Sequence, residues 1–316
     1  MSITVRRVRV RALAKINLDL RVIAKRPDGF HELRTIFQTV SLADTLELDF
    51  TPGRKTSVAL EDELHIADNL VERAARQVLE ATNAKGQLSI RLSKRIPMGA
   101  GLGGGSSDAA AVLLALPVLT GRPVAIDRLR EIGEQLGSDV PFFLLGGRAV
   151  GIGRGTELFP LPDHPAIPAL LVAPGVHVST PEAYRRLSAR LTTELQRNKI
   201  FSFQSQSWDV SSGAPPANDF EAVVFEQHPE LAELKKRLIR AGAAPAMMTG
   251  SGSALFGLFR DRGEVSRAIE KLEKPGTPGL YRVSLVNRAR YRAMWCQALK
   301  EHINGRLWPP RSRYER

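Results

Sequence analysis

The chain opens with an alternation of apolar and polar positions. Within residues 5–22, apolar side chains recur at every second residue, in a set formed by Ala12, Ala14, Ile16, Leu18, Leu20 and Val22. A period of two is typical of a β-strand that buries one face. Lys15, Asn17 and Asp19 occupy the intervening positions and therefore share the opposite face. Residues 26–29, Arg-Pro-Asp-Gly, then predict a turn.

Strand-like and helical patterns follow each other through the rest of the chain. Residues 107–116 are apolar nearly all round, which predicts a helix buried in the core. Asp68 and Thr180 each precede a helical pattern and are predicted to be its N-cap. Further strands are predicted at residues 35–40, 45–50, 88–92, 169–173, 254–259 and 280–286. Further helices are predicted at residues 68–80, 127–136, 181–195, 229–241, 264–272 and 289–303, with another beginning near Pro141.

Length and proline content predict two domains. The chain has 316 residues, more than the roughly 100–200 of an average domain. One short segment is punctuated by Pro160, Pro162, Pro165 and Pro168. A boundary there gives an N-terminal domain of residues 1–164, a C-terminal domain of residues 165–303 and a basic tail of residues 304–316, which we expect to be frayed. Residues 196–217 are rich in Gln, Ser and Pro and predict a mobile surface loop. Both domains mix helices and strands.

Composition excludes several classes of protein. Cys296 is the only cysteine, which excludes an intrachain disulfide and a cysteine-based zinc site. The longest apolar run, Ala109–Leu119, is shorter than the roughly 20 residues that span a bilayer. The first residues lack the apolar core of a signal peptide. We therefore expect a cytoplasmic protein that does not enter a membrane.

The net charge of +12 is concentrated at the ends of the chain. The first eleven residues contribute +4 and residues 281–316 contribute +7, which leaves +1 for the remainder. Basic termini attract polyanions without sequence preference, so an RNA-binding protein is one hypothesis. A solvated tail and a charged strand face explain the same charge and are favoured.

The strongest local signal is a glycine cluster between a predicted strand and the buried helix. Five of the seven residues from 99 to 105 are glycine, which is typical of a main chain that approaches a ligand closely. Successive N–H groups and the positive end of the following helix favour phosphate. A Walker loop is excluded because Gly-Lys-Ser/Thr is absent. A tight turn without a ligand is the structural alternative.

Three further segments carry candidate chemistry. Lys15 and Asn17 form either a solvated strand face or a pair that holds a phosphate and orients a hydroxyl. Asp139, in Gly137–Phe143, is either a helix N-cap or a general base. The sequence Thr-Gly-Ser-Gly-Ser at residues 249–253 is either a plain turn or a second loop that closes over a phosphate-bearing substrate.

Together, these segments resemble the GHMP kinase superfamily. The resemblance rests on residues 14–18, 28–33, 97–110, 137–143 and 249–253, and runs from about residue 10 to residue 287. It implies an α+β fold with an S5 domain 2-like N-terminal domain, a ferredoxin-like C-terminal domain and a site between them. It also implies ATP and Mg²⁺ as cofactors, without identifying the Mg²⁺ ligands.

The resemblance assigns roles residue by residue. Lys15 and Asp139 would be the catalytic pair, while Asn17, Phe30, His31 and Thr180 would bind the substrate. Gly250, Ser251 and Gly252 would lie close to phosphate. The ATP phosphates would be wrapped by Pro97, Met98, Gly99, Ala100, Gly101, Leu102, Gly103, Gly104, Gly105, Ser106 and Ser107.

The Gly-Phe-His segment at residues 29–31 resembles the superfamily members whose substrate carries cytidine diphosphate. Phe30 and His31 would hold the cytosine, and the implied reaction is phosphorylation of the 2-hydroxyl of 4-diphosphocytidyl-2-C-methyl-D-erythritol in the non-mevalonate route to isoprenoid precursors. Tyrosine often stands in place of Phe30 in that family. Residues 196–217 and the tail from Asn304 do not align with it. Another small alcohol, such as mevalonate or homoserine, is the alternative substrate, and no specific nucleic acid is expected.

Overall fold

The structure is a computed structural model, described over residues 4–190, 216–273, 279–303 and 308–312. Its N-terminal part is built on one long β-hairpin. β1 (Arg6–Lys25) pairs antiparallel with β2 (His31–Pro52) along nearly its whole length. The runs predicted at residues 35–40 and 45–50 are one continuous strand, since Ala43, between them, pairs with Leu13.

Two strands share the other edge of β2. β5 (Arg148–Gly153) pairs with residues 33–38 of β2, and β4 (Gly86–Ser93) pairs with residues 45–52. β3 (Ser57–Asp62) runs parallel to β4, and β6 (Glu157–Pro160) runs antiparallel to β5. The sheet therefore has the order β3-β4-β2-β5-β6, with β1 against β2.

Helices cover this sheet, and one of them is buried on all sides. They are α1 (Leu70–Thr82), α2 (Gly104–Thr120), α3 (Ile126–Leu136) and α4 (Val140–Leu145). α2 is the predicted buried helix and begins at Gly104, before the predicted residue 107. The N-cap of α1 is Asn69, whose side chain accepts a hydrogen bond from the Val71 N–H, and the predicted Asp68 is wrong.

The C-terminal part contains an antiparallel sheet with the strand order β10-β7-β9-β8. Helices connect β7 to β8 and β9 to β10, which gives the predicted ferredoxin-like arrangement. α5 is capped by Ser179 and not by the predicted Thr180, because the Ser179 hydroxyl accepts from the Glu182 N–H. The elements are β7 (Pro168–Ala173), α5 (Thr180–Ser188), α6 (Glu221–Gln227), α7 (Pro229–Arg240), β8 (Ala246–Met248), β9 (Leu255–Leu258), α8 (Arg262–Leu272) and β10 (Gly279–Ser284).

The last helix returns to the N-terminal part. α9 (Arg288–Leu299) buries Tyr291, Trp295 and Leu299 in the same apolar core as α2. This differs from the prediction, which placed residues up to 303 in the C-terminal domain. The three side chains recur every four residues, so one face of α9 is apolar and covers the N-terminal core.

Part of the predicted frayed tail is packed. Trp308 stacks on Trp295 with the ring centroids 6.0 Å apart, and the Arg311 carbonyl accepts a hydrogen bond from the Ile126 N–H. Apart from residues 216 and 217, the loop predicted at residues 196–217 lies outside the described residues.

An apolar cluster separate from the core around α2 joins the N-terminal and C-terminal parts. It combines Ile16 of β1 and Leu102 of the glycine cluster with Leu171 of β7 and Phe256 of β9. This cluster fixes β1 and the glycine-rich loop against the C-terminal sheet, and the candidate site lies beside it. In the described part of the chain, no helix has the length and apolarity needed to cross a membrane.

Candidate active site

A large cavity, of about 1310 Å³, lies between the two parts and collects most of the predicted site residues. These residues come from six separate segments of the chain. They are Lys15, Asn17, Phe30, His31, Gly99, Gly101, Gly103, Ser106, Asp139, Thr180, Gly250, Ser251 and Gly252.

Lys15 and Asp139 face each other at one end of the cavity. Lys15 Nζ lies 3.4 Å from Asp139 Oδ2, and the lysine side chain is 4% exposed against 31% for the aspartate. Asp139 immediately precedes α4, but its side chain makes no capping hydrogen bond. The alternative role as an N-cap is therefore not adopted, and the carboxylate is directed to the lysine. A buried ammonium and a partly exposed carboxylate thus form an ion pair at the cavity wall.

Asn17 holds both the lysine and the second glycine-rich loop. Its Oδ1 accepts from Lys15 Nζ at 2.8 Å and from the Gly250 N–H at 3.0 Å. Its Nδ2 donates to Thr35 Oγ1 at 2.8 Å. The buried amide is therefore fixed by Lys15, Gly250 and Thr35, and Asn17 positions both the lysine and the second glycine-rich loop.

The loop of residues 97–107 rests on both domains. The Leu102 carbonyl accepts from the Lys15 N–H at 3.0 Å, and the Ala100 carbonyl accepts from the Ala254 N–H at 3.2 Å. A smaller cavity, of about 350 Å³, is lined by all of residues 96–106. Gly99, Gly101, Gly103 and Ser106 line the larger cavity as well, so the loop borders both cavities.

Ser106 and Ser107 differ in what they can contact. Ser106 lines both cavities. The Ser107 hydroxyl donates to the Leu13 carbonyl at 2.7 Å, and its N–H donates to the Gly103 carbonyl at 2.9 Å. The prediction that Ser107 contacts a phosphate needs correction, because both of its donors are used within the fold.

The second glycine-rich loop meets the start of α5. Ser251 Oγ lies 2.7 Å from Thr180 Oγ1, which brings two predicted residues from different elements into one hydroxyl pair. Gly250 contacts the backbone of Gly101, so the two glycine-rich loops touch. The cavity is therefore bordered from both domains by main chain without bulky side chains.

Aromatic side chains border the other end of the cavity. His31 stacks on Tyr184 with the ring centroids 4.6 Å apart, and His31 Nε2 lies 2.5 Å from Ser188 Oγ. Burial, aided by the charge of Lys25, lowers the pKa of His31 below 6.5. The imidazole is consequently neutral at pH 7, with one donor and one acceptor nitrogen. Phe30 is 46% exposed.

Tyr184 was not predicted from the sequence, although a signal for it exists. Thr180, Tyr184 and Ser188 recur every four residues and therefore share one face of α5. All three line the cavity. Extending the helical face from Thr180 would have identified both of the other residues.

A buried ion cluster beneath the glycine-rich loop was also missed. Lys94 Nζ donates to Asp44 Oδ2 at 2.5 Å and to Asp108 Oδ2 at 2.7 Å. A Cβ on Gly104, the first residue of α2, would lie 3.2 Å from the same Nζ. An ammonium at a helix N-terminus is unfavourable by itself, and the two carboxylates offset this. Asp108 Oδ1 has no hydrogen-bond partner.

The free energy of unfolding is expected to depend on the ionisation of Asp108. Burial raises its pKa from 3.8 to about 7, against the opposing charge of Lys94. The folded state thus binds this proton more tightly, and the stabilisation it gives is lost as the pH rises from about 4 to 7. Between pH 4 and pH 7, the free energy of unfolding of the wild type should fall by on the order of 3 kcal/mol relative to that of Asp108→Asn.

Urea unfolding at several pH values between 4 and 8 measures this difference. Asp49→Asn is the matched control, since Asp49 is a partly exposed carboxylate paired with Arg7. The unfolding free energy of Asp49→Asn should depend on pH as that of the wild type does. Equal pH dependence in the wild type and Asp108→Asn would show that Asp108 titrates normally.

Comparisons with known proteins agree with this architecture. The family model described as GHMP kinases N terminal domain matches residues 69–147, and GHMP kinases C terminal matches residues 205–277. The two-domain α+β fold and these matches define the class as a GHMP kinase. The expected fold class is thereby confirmed.

Relatives with high sequence identity to this chain define the family. The chain is 67% identical to 4-diphosphocytidyl-2-C-methyl-D-erythritol kinase from Solibacter usitatus (strain Ellin6076), over 98% of this chain and 99% of the relative. It is 40% identical to the protein of the same name from Geobacter metallireducens, over 83% of this chain and 93% of the relative. The chain belongs to the 4-diphosphocytidyl-2-C-methyl-D-erythritol kinase family.

Solved structures give the same result. A crystal structure of 4-(cytidine 5'-diphospho)-2C-methyl-D-erythritol kinase matches with a TM-score of 0.74 and 38% identity, covering 88% of this chain and 98% of that chain. Homoserine kinase from Cytophaga hutchinsonii matches with a TM-score of 0.69 and 20% identity, covering 91% and 97% of the two chains. The second likeness concerns the fold alone.

Proposed function

We propose that this chain transfers the γ-phosphoryl group of ATP to the 2-hydroxyl of 4-diphosphocytidyl-2-C-methyl-D-erythritol, in the cytoplasm, as a step of the non-mevalonate route to isoprenoid precursors. The observation that carries the proposal is the 3.4 Å pair of Lys15 and Asp139. This pair faces the same cavity as the glycine-rich loop and the aromatic pocket of His31. Family membership supports the substrate.

Lys15 and Asp139 would supply the chemistry at the acceptor hydroxyl. Asp139 Oδ orients the 2-hydroxyl and takes its proton as the oxygen attacks the γ-phosphorus. The Lys15 ammonium pairs with this carboxylate and stabilises negative charge on the transferring group. Phosphoryl transfer depends mainly on positioning and charge neutralisation, and a buried ammonium held by Asn17 at 2.8 Å meets both needs.

The glycine-rich loop would bind ATP. Its main-chain N–H groups and the N-terminus of α2 favour the triphosphate. The smaller cavity beside the loop would take the nucleoside, because the loop borders both cavities. The phosphates thus reach Lys15 while the base lies away from the second substrate.

The oxygen ligands available beside the glycine-rich loop fit Mg²⁺. Mg²⁺ is often bound by few protein oxygens, with phosphates and water completing its shell. Within the described residues, no three His, Cys, Asp or Glu side chains form a metal-binding group, so the nucleotide would supply most ligands. The Ser106 hydroxyl is the protein donor that we assign, and the bound ion would neutralise phosphate charge.

The cytidine end of the substrate would occupy the aromatic pocket. A neutral His31 offers a donor and an acceptor to the polar edge of cytosine, and Tyr184 fixes the orientation of its ring at 4.6 Å. Phe30 offers an exposed stacking surface. The hydroxyl pair of Thr180 and Ser251 lies between this pocket and the glycine-rich loops and would bind the diphosphate.

Specific RNA binding is the weaker hypothesis. Arg7 pairs with Asp49 and Arg9 pairs with Glu47 across the β1–β2 hairpin. These arginines are therefore part of a mixed-charge sheet face and do not form an unbroken basic surface. The charge of the N-terminus thus has a structural explanation.

ADP release in the presence of ATP and Mg²⁺ tests the proposed function. We expect turnover with 4-diphosphocytidyl-2-C-methyl-D-erythritol and at least a hundredfold lower kcat/KM with mevalonate or homoserine, which cannot fill the aromatic pocket. Phosphorus NMR of the product should locate the new phosphate on the 2-oxygen. Absence of turnover with the cytidine-bearing substrate would refute the proposal.

A further inference from the structure

Arg154 differs from the other arginines around the aromatic end of the cavity. Arg26 pairs with Asp28 and Glu32, and Arg34 pairs with Glu32. Arg154 also lines the cavity, but it forms no ion pair within the described part of the chain. Its Nε is buried and has no hydrogen-bond partner. A buried guanidinium N–H without an acceptor is costly. Arg148 and Arg288 share this feature, and of the three arginines only Arg154 lines the cavity.

The structure presents this guanidinium as a flat surface. Arg154 lies in the turn between β5 and β6, which is closed by a 2.9 Å hydrogen bond from the Gly155 N–H to the Ile152 carbonyl. Its Cζ lies 3.5 Å from the centroid of the Phe30 ring. This separation is that of two planes in face-to-face contact, and the cation is attracted to the ring.

We propose that Arg154 is a specificity-determining residue that binds the cytosine of the substrate together with Phe30. The inference rests on the proposed function and adds a residue to its nucleobase pocket. The Phe30 ring holds the guanidinium flat, its N–H groups donate in their own plane to the carbonyl oxygen of the pyrimidine, and the base itself stacks on Phe30. Guanidinium groups both stack on flat rings and donate in their own plane.

A purely structural role for Arg154 is not supported by its contacts. A residue that only covers Phe30 needs no charge. Asp28 lies within electrostatic reach of Arg154 but forms its ion pair with Arg26. The carbonyl oxygen of cytosine is an acceptor in the plane of the base and matches the in-plane donors of the guanidinium, while Phe30 supplies the stacking surface.

Two variants separate the stacking plane from the charge. Arg154→Met keeps a long, unbranched side chain and removes both the guanidinium plane and the charge. Arg154→Lys keeps the charge and removes the plane. Arg185→Met is the matched control, since Arg185 also lines the cavity but pairs with Glu182. Thermal unfolding establishes that each variant is folded.

We expect Arg154→Met to raise KM for the cytidine-bearing substrate about tenfold or more, with kcat and the KM for ATP unchanged within twofold. The inhibition constants of cytidine and of CDP should rise by the same factor. Arg154→Lys should recover little of the loss, and Arg185→Met should change each value less than threefold.

Three results would overturn the assignment. These are an equal loss in Arg185→Met, full recovery in Arg154→Lys, or a loss confined to CDP, which would indicate a phosphate contact. Calorimetric titration with CDP distinguishes this failure from failure of the proposed function. If the wild type does not bind CDP, the proposed function is at fault. If the wild type and Arg154→Met bind CDP equally well, only the role of Arg154 is wrong.

Discussion

Replacement of Lys15 by methionine is expected to lower kcat about a thousandfold in a chain that remains folded. The ammonium lies 3.4 Å from Asp139 Oδ2 and is almost completely buried. Methionine has a similar length, so the substitution removes the charge and leaves little empty volume. Loss of one preorganised electrostatic group costs about 10²–10³ in kcat, and the carboxylate would also lose its ion-pair partner.

Steady-state ADP release and calorimetric binding of each substrate measure this effect. Asp139→Asn is the companion variant, because it keeps the shape of the side chain and removes the base, and we expect a loss of about 10²–10⁴ in kcat. Both variants should bind CDP as the wild type does. A kcat within tenfold of wild type in either variant would contradict the assigned catalytic pair.

Replacement of Gly101 by alanine is expected to disturb both the fold and ATP binding. Gly101 has a φ of +79°, and a Cβ there would lie 2.2 Å from the Thr249 carbonyl oxygen. The two glycine-rich loops would have to separate. We expect the unfolding free energy to fall by about 3 kcal/mol or more, and the KM for ATP to rise more than tenfold.

Gly99→Ala is a matched control for the backbone strain alone. Gly99 also has a positive φ, of +64°, but a Cβ there would meet nothing within 4 Å. Gly99→Ala should lower the free energy of unfolding by only about 1 kcal/mol. Urea unfolding of both variants, with the KM for ATP, makes the comparison. Equal losses in the two variants would mean that contact between the loops contributes nothing.

The local parts of the site were predictable because they depend on short-range periodicity. Lys15 and Asn17 are two residues apart in a strand, and the structure confirms that they share a face, with a hydrogen bond of 2.8 Å between them. The buried helix after the glycine cluster was equally predictable, since its residues are apolar on every side. The roles of Lys15, Asp139, Phe30, His31 and Thr180 remain predictions.

Other features depend on contacts between distant segments, which no local pattern encodes. The hydrogen bond from the Gly250 N–H to Asn17 Oδ1 requires both domains to be in place. The Lys94 cluster joins a loop, a strand and a helix, and each of its residues is unremarkable in sequence. Asn69 displaced Asp68 as the N-cap because two adjacent cap-forming residues compete, and the backbone of the preceding loop decides between them.

The return of α9 to the N-terminal core bears on how the protein is made. The ribosome adds residues 288–299 after α2 and all the strands of both sheets, yet these residues cover the core that contains α2. A nascent chain that stops before them holds an uncovered apolar surface. The N-terminal half is therefore finished last, and separate expression of the two halves would yield an N-terminal fragment without the helix that covers its core.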